Sequence, residues 1–276
     1  MKAILTILVP ALILALLFKY AGIWGGIIGF AVYLLFILII KMPDYLMISA
    51  SKMYRQNPER AKEALNRMEK ALRTKRLRAE YVQYYGFMAL KAGDIARAER
   101  VLTQGEKMKM SEETRCRAAV NRALLAWQKG QKEEAIHILE EQLKLGEDKA
   151  VYGTLGQFLL QNGQLQHALE LNKKAYAFDK YDEAITDNLA LTYRLTGDID
   201  SSANLYKELT DKRLGVPIPY YHYGETLYVM GKKEEAIEYM EKALTYTFSH
   251  LAVVSREEIQ RRIEEIKAEI AETEKN

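Results

Sequence analysis

Small and large apolar residues recur at a fixed spacing through most of the chain. In the clearest copy, Gly224 is followed three residues later by Leu227, then by Gly231, and Ala236 follows five residues after that. The glycines equivalent to Gly231 are separated by 37, 33, 34 and 34 residues, and the full set is Gly93, Gly130, Gly163, Gly197 and Gly231. A period near 34 residues predicts stacked pairs of amphipathic helices.

Each of these glycines lies between two apolar helical stretches. Glycine is favoured where a chain leaves a helix in the left-handed conformation. We call the helix before the glycine helix A and the helix after it helix B, each about 12 to 14 residues long, near the usual helix length. A single pair cannot bury its apolar face, but a stack of pairs can. The pattern therefore predicts an all-α solenoid.

A different pattern occupies residues 3–40, which contain no Asp or Glu and only one charge, Lys19. A single helix over these residues would be about 57 Å long, nearly twice the ~30 Å hydrocarbon core of a bilayer. A charge, an aromatic residue and Gly22 follow one another at residues 19–22, which makes a natural break. The sequence predicts a transmembrane hairpin over residues 1–42, with spans at residues 3–18 and 23–40.

The second span begins with closely spaced glycines, namely Gly22, Gly25, Gly26 and Gly29. Small residues four apart let helix backbones approach closely in lipid. Packing of the hairpin on itself is the favoured use of these glycines, and self-association through the second span is the alternative. A cleaved signal peptide is disfavoured, because no small-residue cleavage site follows Phe18 and a second apolar run begins at once.

Basic residues are concentrated after the second span. Between residues 41 and 80 the chain has 11 Lys or Arg and 5 acids. By the positive-inside rule both termini lie in the cytoplasm, which predicts a two-span protein of a bacterial-type inner membrane. The same residues are candidates for contact with anionic lipid head groups. They are Lys52, Arg55, Arg60, Lys62, Arg73, Lys75, Arg76 and Arg78.

The remaining segments are assigned from helix start and stop signals. Pro43 and Asp44 predict the end of one helix and the cap of the next, and Asn57-Pro58 predicts another cap. Residues 43–78 are interpreted as a degenerate first repeat beside the membrane, and residues 79–250 as five further repeats. Three extra residues are placed in a longer loop at residues 107–113. Residues 251–276 are expected to form a capping helix and a frayed tail, with Ile259, Ile263, Ile266 and Ile270 on one stripe.

The copies resemble tetratricopeptide repeats. The family pattern has a small residue in helix A, a large residue three later, and Ala in helix B. The best matches are Leu155, Gly156, Leu159, Ala168 and Ala175, and Gly224, Leu227, Ala236 and Ala243. The chain departs from the pattern in lacking Trp near the start of helix A and Pro at the end of helix B. The resemblance covers about residues 45–250 and implies a right-handed solenoid of about six helix pairs.

The resemblance also implies a binding surface, because the family lines its concave side with the A helices. The residues expected there are Gln83, Phe87, Leu90, Val120, Leu124, Trp127, Gln157, Leu160, Asp187, Leu191, Arg194, Tyr221, Glu225 and Tyr228. The Lys and Asn pair with which some family members hold a C-terminal carboxylate is missing at the corresponding positions. The mostly apolar and aromatic set favours capture of a helix or an extended peptide. The alternative is that the leucines simply pack between neighbouring helices.

Chemistry of other kinds is not indicated. No catalytic motif or phosphate-binding loop is present, so the chain is not expected to be an enzyme, and no cofactor is implied. The four histidines lack partners at ligand spacing, so no metal site is expected. Nucleic-acid binding is not expected, because the basic run adjoins the predicted membrane segment and is mixed with acids. The lone Cys116 allows no internal disulfide and is interpreted as a small core residue.

Two functions remain open from the sequence. The favoured hypothesis is a membrane-anchored scaffold or adaptor that recruits a protein or peptide partner through the concave groove. The alternative is an accessory subunit of a membrane complex, assembled through the hairpin, with the solenoid in a regulatory role. The partner and the pathway are not specified by the residues.

Overall fold

The computed structural model describes residues 2–73, 78–212 and 214–275. Within these ranges, side chains are described from residue 12 onward, except for Leu14 and residues 274–275. These residues form thirteen α-helices and one short 3₁₀ turn, and they contain no strand. The chain divides into two compact units, Met1–Leu77 and Arg78–Asn276. The helices are α1 (Lys2–Gln56), α2 (Ala61–Leu72), α3 (Ala79–Lys91), α4 (Ile95–Glu106), α5 (Glu112–Gln128), α6 (Lys132–Leu145), α7 (Lys149–Gln161), α8 (Leu165–Phe178), α9 (Glu183–Leu195), α10 (Ile199–Asp211), α11 (Ile218–Val229), α12 (Lys233–Ala243) and α13 (Arg256–Lys275).

Helix α1 departs from helical geometry at Gly22. This residue has φ 65° and ψ −163°, a conformation that only glycine adopts readily. A Cβ on Gly25 would overlap the side chain of Ala21, and one on Gly26 would lie 3.0 Å from the ring of Phe18. The chain therefore turns at the residue that ends the expected break. Of the described residues, one helix is long and apolar enough to cross a membrane, Ala15–Gln56, with a mean hydropathy of 2.6 over its most apolar window.

The helix passes through Pro43 without a second break, whereas the sequence predicts a stop there. An internal proline costs about 3 kcal/mol, because it removes one hydrogen bond and crowds the preceding turn. Packing on α2 offsets this cost. Pro43 is itself buried, and the last turns of α1 are buried at Met47, Ala50, Met53 and Tyr54, facing Ala64, Leu65, Met68 and Ala71 of α2.

The connection between α1 and α2 follows the predicted cap. The side chain of Asn57 accepts a hydrogen bond of 2.9 Å from the backbone N–H of Glu59, and Pro58 opens the 3₁₀ turn Pro58–Arg60. Asn57 has φ −149° and ψ 100°, so this connection does not use the positive-φ turn of the later pairs. The first unit thus contains one helix pair, in which the end of α1 contacts α2.

The second unit contains five helix pairs followed by α13. Each pair is an A helix and a B helix in contact, from α3 with α4 to α11 with α12, and each A helix also contacts the next A helix. The five turn glycines all have positive φ, from 72° to 90°. At each turn the glycine N–H bonds the carbonyl three residues back, and the next N–H bonds the carbonyl five back, as Gly163 to Leu160 and Gln164 to Leu159 show. The predicted all-helical solenoid is confirmed, with the turn chemistry expected of a left-handed helix end.

Small residues allow the close crossing of helices within a pair. A Cβ on Gly224 would lie 2.7 Å from Cγ of Met240 and 2.9 Å from the carbonyl oxygen of Ala236. Ala236, Met240 and Ala243 are fully buried on the facing side of α12. The spacing seen in the sequence therefore reflects a steric requirement.

Two details of the array differ from or extend the prediction. The extra residues expected in a loop at residues 107–113 instead lengthen α5, which has 17 residues whereas the other A helices of the unit have 12 or 13. An N-terminal extension is favourable because Ser111 caps the helix, its Oγ accepting from the N–H of Thr114 at 3.3 Å.

At the C-terminal end of the array, α13 covers the last pair through Ile259, Ile263 and Ile266, all at most 3% exposed, as predicted.

Candidate functional site

A cavity of about 1270 Å³ opens on the A-helix side of the second unit. We call it the chamber. Its walls are formed by α5, α7, α9 and α11, by the loop before α9, and by the connector before α11. The remaining wall belongs to residues 244–255, the segment between α12 and α13, which we call the strap. Leu251, Ala252, Val253 and Val254 of the strap line the chamber.

The strap reaches from the fifth helix pair to the first. The N–H of His250 donates a hydrogen bond of 3.0 Å to the carbonyl of Lys91, at the end of α3. The ring of His250 also packs against the adjacent turn, where a Cβ on Gly93 would lie 3.1 Å from it. The strap therefore forms one side of the chamber within this unit.

Both ends of the strap are fixed by side chains. Arg256 donates hydrogen bonds of 2.7 Å to the carbonyl of Leu244 and 2.9 Å to that of Tyr246. Ser255 and Glu258 form a reciprocal capping box at the start of α13, at 3.1 and 2.7 Å. The middle of the strap is held mainly by the contact at His250.

Aromatic and aliphatic side chains form the apolar wall of the chamber. Trp127 stacks on Phe158 with ring centroids 4.1 Å apart and an interplanar angle of 11°. Leu160, Leu191 and Tyr221 continue this wall on α7, α9 and α11. Burial, followed by the nearby carboxylate of Glu225, raises the pKa of the Tyr221 hydroxyl, so it stays protonated and can donate a hydrogen bond.

The charged residues of the chamber are mostly paired. Asp187 lies 3.0 Å from Nδ1 of His222, and Lys149 lies 3.8 Å from Asp182. The side chain of Arg194 is different: it makes no ion pair or hydrogen bond with any described residue, and its Nε is buried without an acceptor.

A recurring polar contact joins neighbouring A helices. Nδ2 of Asn121 donates to the carbonyl of Gln83 at 2.9 Å, and that of Asn188 donates to the carbonyl of Gly153 at 2.7 Å. The pair of His222 and Asp187 occupies the equivalent place at the next interface. These contacts fix the register between repeats, so part of the expected binding surface is used internally.

The fourteen residues expected on the groove fall into three groups. Seven line the chamber, namely Trp127, Gln157, Leu160, Asp187, Leu191, Arg194 and Tyr221. Five lie elsewhere on the A helices of the first two pairs: Gln83, Leu90 and Val120 are at most 9% exposed, and Phe87 and Leu124 are half-buried. Two are covered by α13, since Glu225 bonds Arg262 at 2.9 Å and Tyr228 bonds Glu269 at 3.0 Å.

Sequence reasoning did not assign the strap to the site. The strap lies outside the repeats and carries no motif, and its contact with α3 uses backbone atoms. The connector before α11 contains a short apolar run, Leu214 to Pro217. It contributes the 44% exposed Val216 to the chamber, while Leu214 is buried. An apolar run between two repeats was the available signal.

The basic residues proposed to meet the membrane are exposed wherever the structure describes them. Lys52, Arg55, Arg60, Lys62 and Arg73 lie on the first unit. Arg60 is bound by Glu63 through several short contacts. Arg78 belongs to the second unit and lies over the ring of Tyr81 at 4.2 Å. Lys75 and Arg76 lie outside the described residues.

The remaining candidate chemistry is sparse. Among the described residues no group of three His, Cys, Asp or Glu is placed to hold a metal ion. Cys116 is 7% exposed, and burial raises the pKa of its thiol. The thiol accordingly stays protonated and acts as a small core group.

Comparison with known proteins relates the chain to one repeat family. Residues 120–183 and 219–250 match two tetratricopeptide repeat models. A structure of PilF from Pseudomonas aeruginosa is similar over 84% of this chain and 99% of that one, with a TM-score of 0.55 at 16% identity. A tetratricopeptide repeat protein from Parabacteroides merdae has a TM-score of 0.49 at 17% identity, over 75% of this chain and 80% of its own. No curated protein sequence matches. At these identities the likeness concerns the fold alone.

Proposed function

We propose that this chain, which contains tetratricopeptide repeats as its sequence predicted, is a membrane-anchored scaffold that holds a segment of a protein partner in the chamber. The chamber itself is the observation that carries this proposal. Its volume of about 1270 Å³ exceeds the roughly 300–1000 Å³ of pockets for small molecules, so it suits a peptide segment.

The lining of the chamber supports the same conclusion. Trp, Tyr and Arg are the residues that most often dominate binding energy at protein interfaces. All three occur here, as Trp127, Tyr221 and Arg194, beside Leu160 and Leu191. A partner segment with apolar side chains would bury this wall.

Anchoring by the first unit is the second part of the proposal. The apolar helix Ala15–Gln56 and the turn at Gly22 support two spans at residues 3–18 and 23–40. The basic excess after the second span supports cytoplasmic termini and repeats. An anchored solenoid raises the effective concentration of its partner at the membrane.

The proposal is tested by substituting the apolar wall in the full-length chain. Trp127→Ala and Tyr221→Ala should each reduce proximity labelling of the principal partners at least about fivefold, as expected when an aromatic anchor is lost from an interface, while the helical circular dichroism signal is retained. Phe178→Ala, at a 46% exposed aromatic residue that does not line the chamber, is the matched control. An unchanged set of labelled neighbours would contradict the chamber as the binding site.

Anchoring is tested separately. The chain should remain in the membrane fraction after an alkaline carbonate wash. A fluorescent protein fused to the C-terminus should fluoresce, whereas alkaline phosphatase fused there should be inactive. Release by carbonate, or the opposite pattern of fusion activity, would contradict the two-span topology. If deletion of residues 1–42 abolishes all partner contacts while the solenoid stays folded, the alternative of assembly through the hairpin is favoured.

A further inference from the structure

We propose that Arg194 binds an acidic side chain of the partner segment, so that the chamber selects a Glu or Asp flanked by apolar residues. This inference rests on the proposed function. It starts from the state of Arg194, a half-buried cation whose Nε is buried without an acceptor. Buried polar groups without a partner are rare and costly. Nε itself is covered by protein atoms, so a ligand meets the terminal nitrogens of the guanidinium, which also have no acceptor among the described residues.

The other charges of the chamber are satisfied or exposed. Asp187 is engaged by His222, Lys149 by Asp179 and Asp182, and Glu258 by the capping box. Lys132 is solvent-exposed and lies 5.4 Å from the Trp127 ring centroid. Arg194 is therefore the one half-buried charge among the described lining residues that still lacks a counter-ion.

The surroundings of Arg194 define the ligand further. A guanidinium offers a planar fork that matches the two oxygens of a carboxylate. Leu191 lies on the same helix as Arg194, and Tyr221 lies on the next A helix. An acid between apolar residues can therefore bond Arg194 while its neighbours bury the apolar wall. The strap already runs along the chamber as an internal segment, so the space suits a segment within a chain.

The experiment measures binding of short fluorescent peptides to the full chain in detergent micelles. Each peptide carries one central Glu between apolar residues, and its twin carries Gln; all are amidated at the C-terminus. The Glu form of the binding peptides should bind about tenfold more tightly than its twin, as expected for a hydrogen bond to a charged group. Arg194→Met should remove this preference, and Lys132→Met, the matched control, should retain it.

The outcomes separate the two proposals. Equal binding of Glu and Gln twins by the wild type, or a preference that survives in Arg194→Met, overturns the role of Arg194 and leaves the chamber as a peptide site. Binding that appears only when the C-terminal amide is replaced by a free acid also overturns it, in favour of a chain end. Failure of every peptide to bind counts against the proposed function as well.

A separate observation concerns the strap. We infer that the strap is a gate, whose movement widens the access of a ligand to the chamber. Its middle meets the first helix pair at the backbone hydrogen bond from the N–H of His250 to the carbonyl of Lys91. Leu244, Tyr246, Phe248 and Val254 of the strap pack against the core of the last pair, whereas Leu251 and Ala252 are only half-buried and Val253 is 38% exposed. The middle of the strap is therefore the part that can move. Segments with few buried contacts open most readily.

His250→Pro tests the gate, because proline has no N–H to donate to Lys91. The readout is acrylamide quenching of Trp127 in the full chain carrying Trp24→Phe, since these are the only two tryptophans. Loss of one hydrogen bond should raise quenching and peptide association rates by about two- to tenfold. Thr247→Pro is the control, because the described residues give its N–H no acceptor. Equal effects of the two prolines, or no effect of either, would overturn the gate.

Discussion

Two kinds of connection in the second unit hold the chain in opposite ways. The turns within the pairs are short, and each is fixed by a glycine at positive φ and two backbone hydrogen bonds. The strap spans residues 244–255, is fixed at its ends by Arg256, and meets the first pair at His250. The turns define the repeat, and the strap forms one side of the chamber and is proposed to control access to it. Stability and access therefore depend on different residues and can be altered separately.

The largest effect is expected where α13, the helix after the strap, packs on the last pair. Ile266 of α13 is fully buried against the last pair. Ile266→Ala should lower the free energy of unfolding by about 2–5 kcal/mol, because it removes buried methylenes and leaves a cavity. Urea unfolding followed by circular dichroism measures this. Glu264→Ala, at a 75% exposed side chain on the same helix, should change it little; a similar loss from both would show that α13 is not packed as described.

A second effect is expected inside the last pair. Ala236→Leu places a larger side chain where α11 and α12 cross beside Gly224, and should cost about 1–3 kcal/mol of stability. The same urea titration measures it. Ala268→Leu is the control, because Ala268 is exposed on α13. An Ala236→Leu variant as stable as the wild type would contradict the close crossing.

Two turn glycines allow the effect of a turn to be distinguished from the effect of the contact with the strap. Gly93 and Gly163 have nearly equal φ, 74° and 72°, so Ala at either should cost about 1–2 kcal/mol. A Cβ at Gly163 meets open space, whereas one at Gly93 meets the His250 ring. Only Gly93→Ala should also increase acrylamide quenching of Trp127. Equal quenching in both variants would mean that the strap does not depend on this contact.

The smallest effect is a pH dependence. Burial, followed by the hydrogen bond to Tyr246 of the strap, raises the pKa of Tyr220 from 10.0 to about 12. The folded state then keeps a proton that the unfolded state loses, so this contribution is present below about pH 10 and is lost as pH rises from about 10 to 12. Tyr220→Phe should make the decline of stability over this range less steep in urea titrations. If the decline of stability is unchanged in this variant, other tyrosines cause it.

The turns could be predicted from the sequence because their signal is local. A glycine followed by a polar residue, at a period near 34, specifies a left-handed helix end wherever it occurs. The apolar stripe of α13 was visible for the same reason. The rule that proline ends a helix is also local, and it predicts a stop at Pro43. The prediction is wrong because the rule does not include the packing of α1 on α2, which offsets the cost of the proline.

The chamber could be predicted only in part, because it depends on contacts between distant residues. Trp127 and Tyr221, which position in the repeat assigns to the A-helix side, line the chamber. It could not show that Arg262 and Glu269, on a helix outside the repeats, would engage Glu225 and Tyr228. The backbone hydrogen bond at the middle of the strap could not be predicted either, because a backbone hydrogen bond does not require particular residue types.

Photo-crosslinking from inside the chamber tests the central claim most directly. A photoreactive phenylalanine analogue replaces Leu191, in the chamber, or Leu145, which is 81% exposed at the end of α6 and does not line the chamber. Irradiation of living cells should link position 191 to one defined segment of a partner protein, identified by mass spectrometry, and position 145 should not yield it. The same products from both positions, or position 191 linking only to the strap of its own chain, would contradict the chamber as the site that holds a partner.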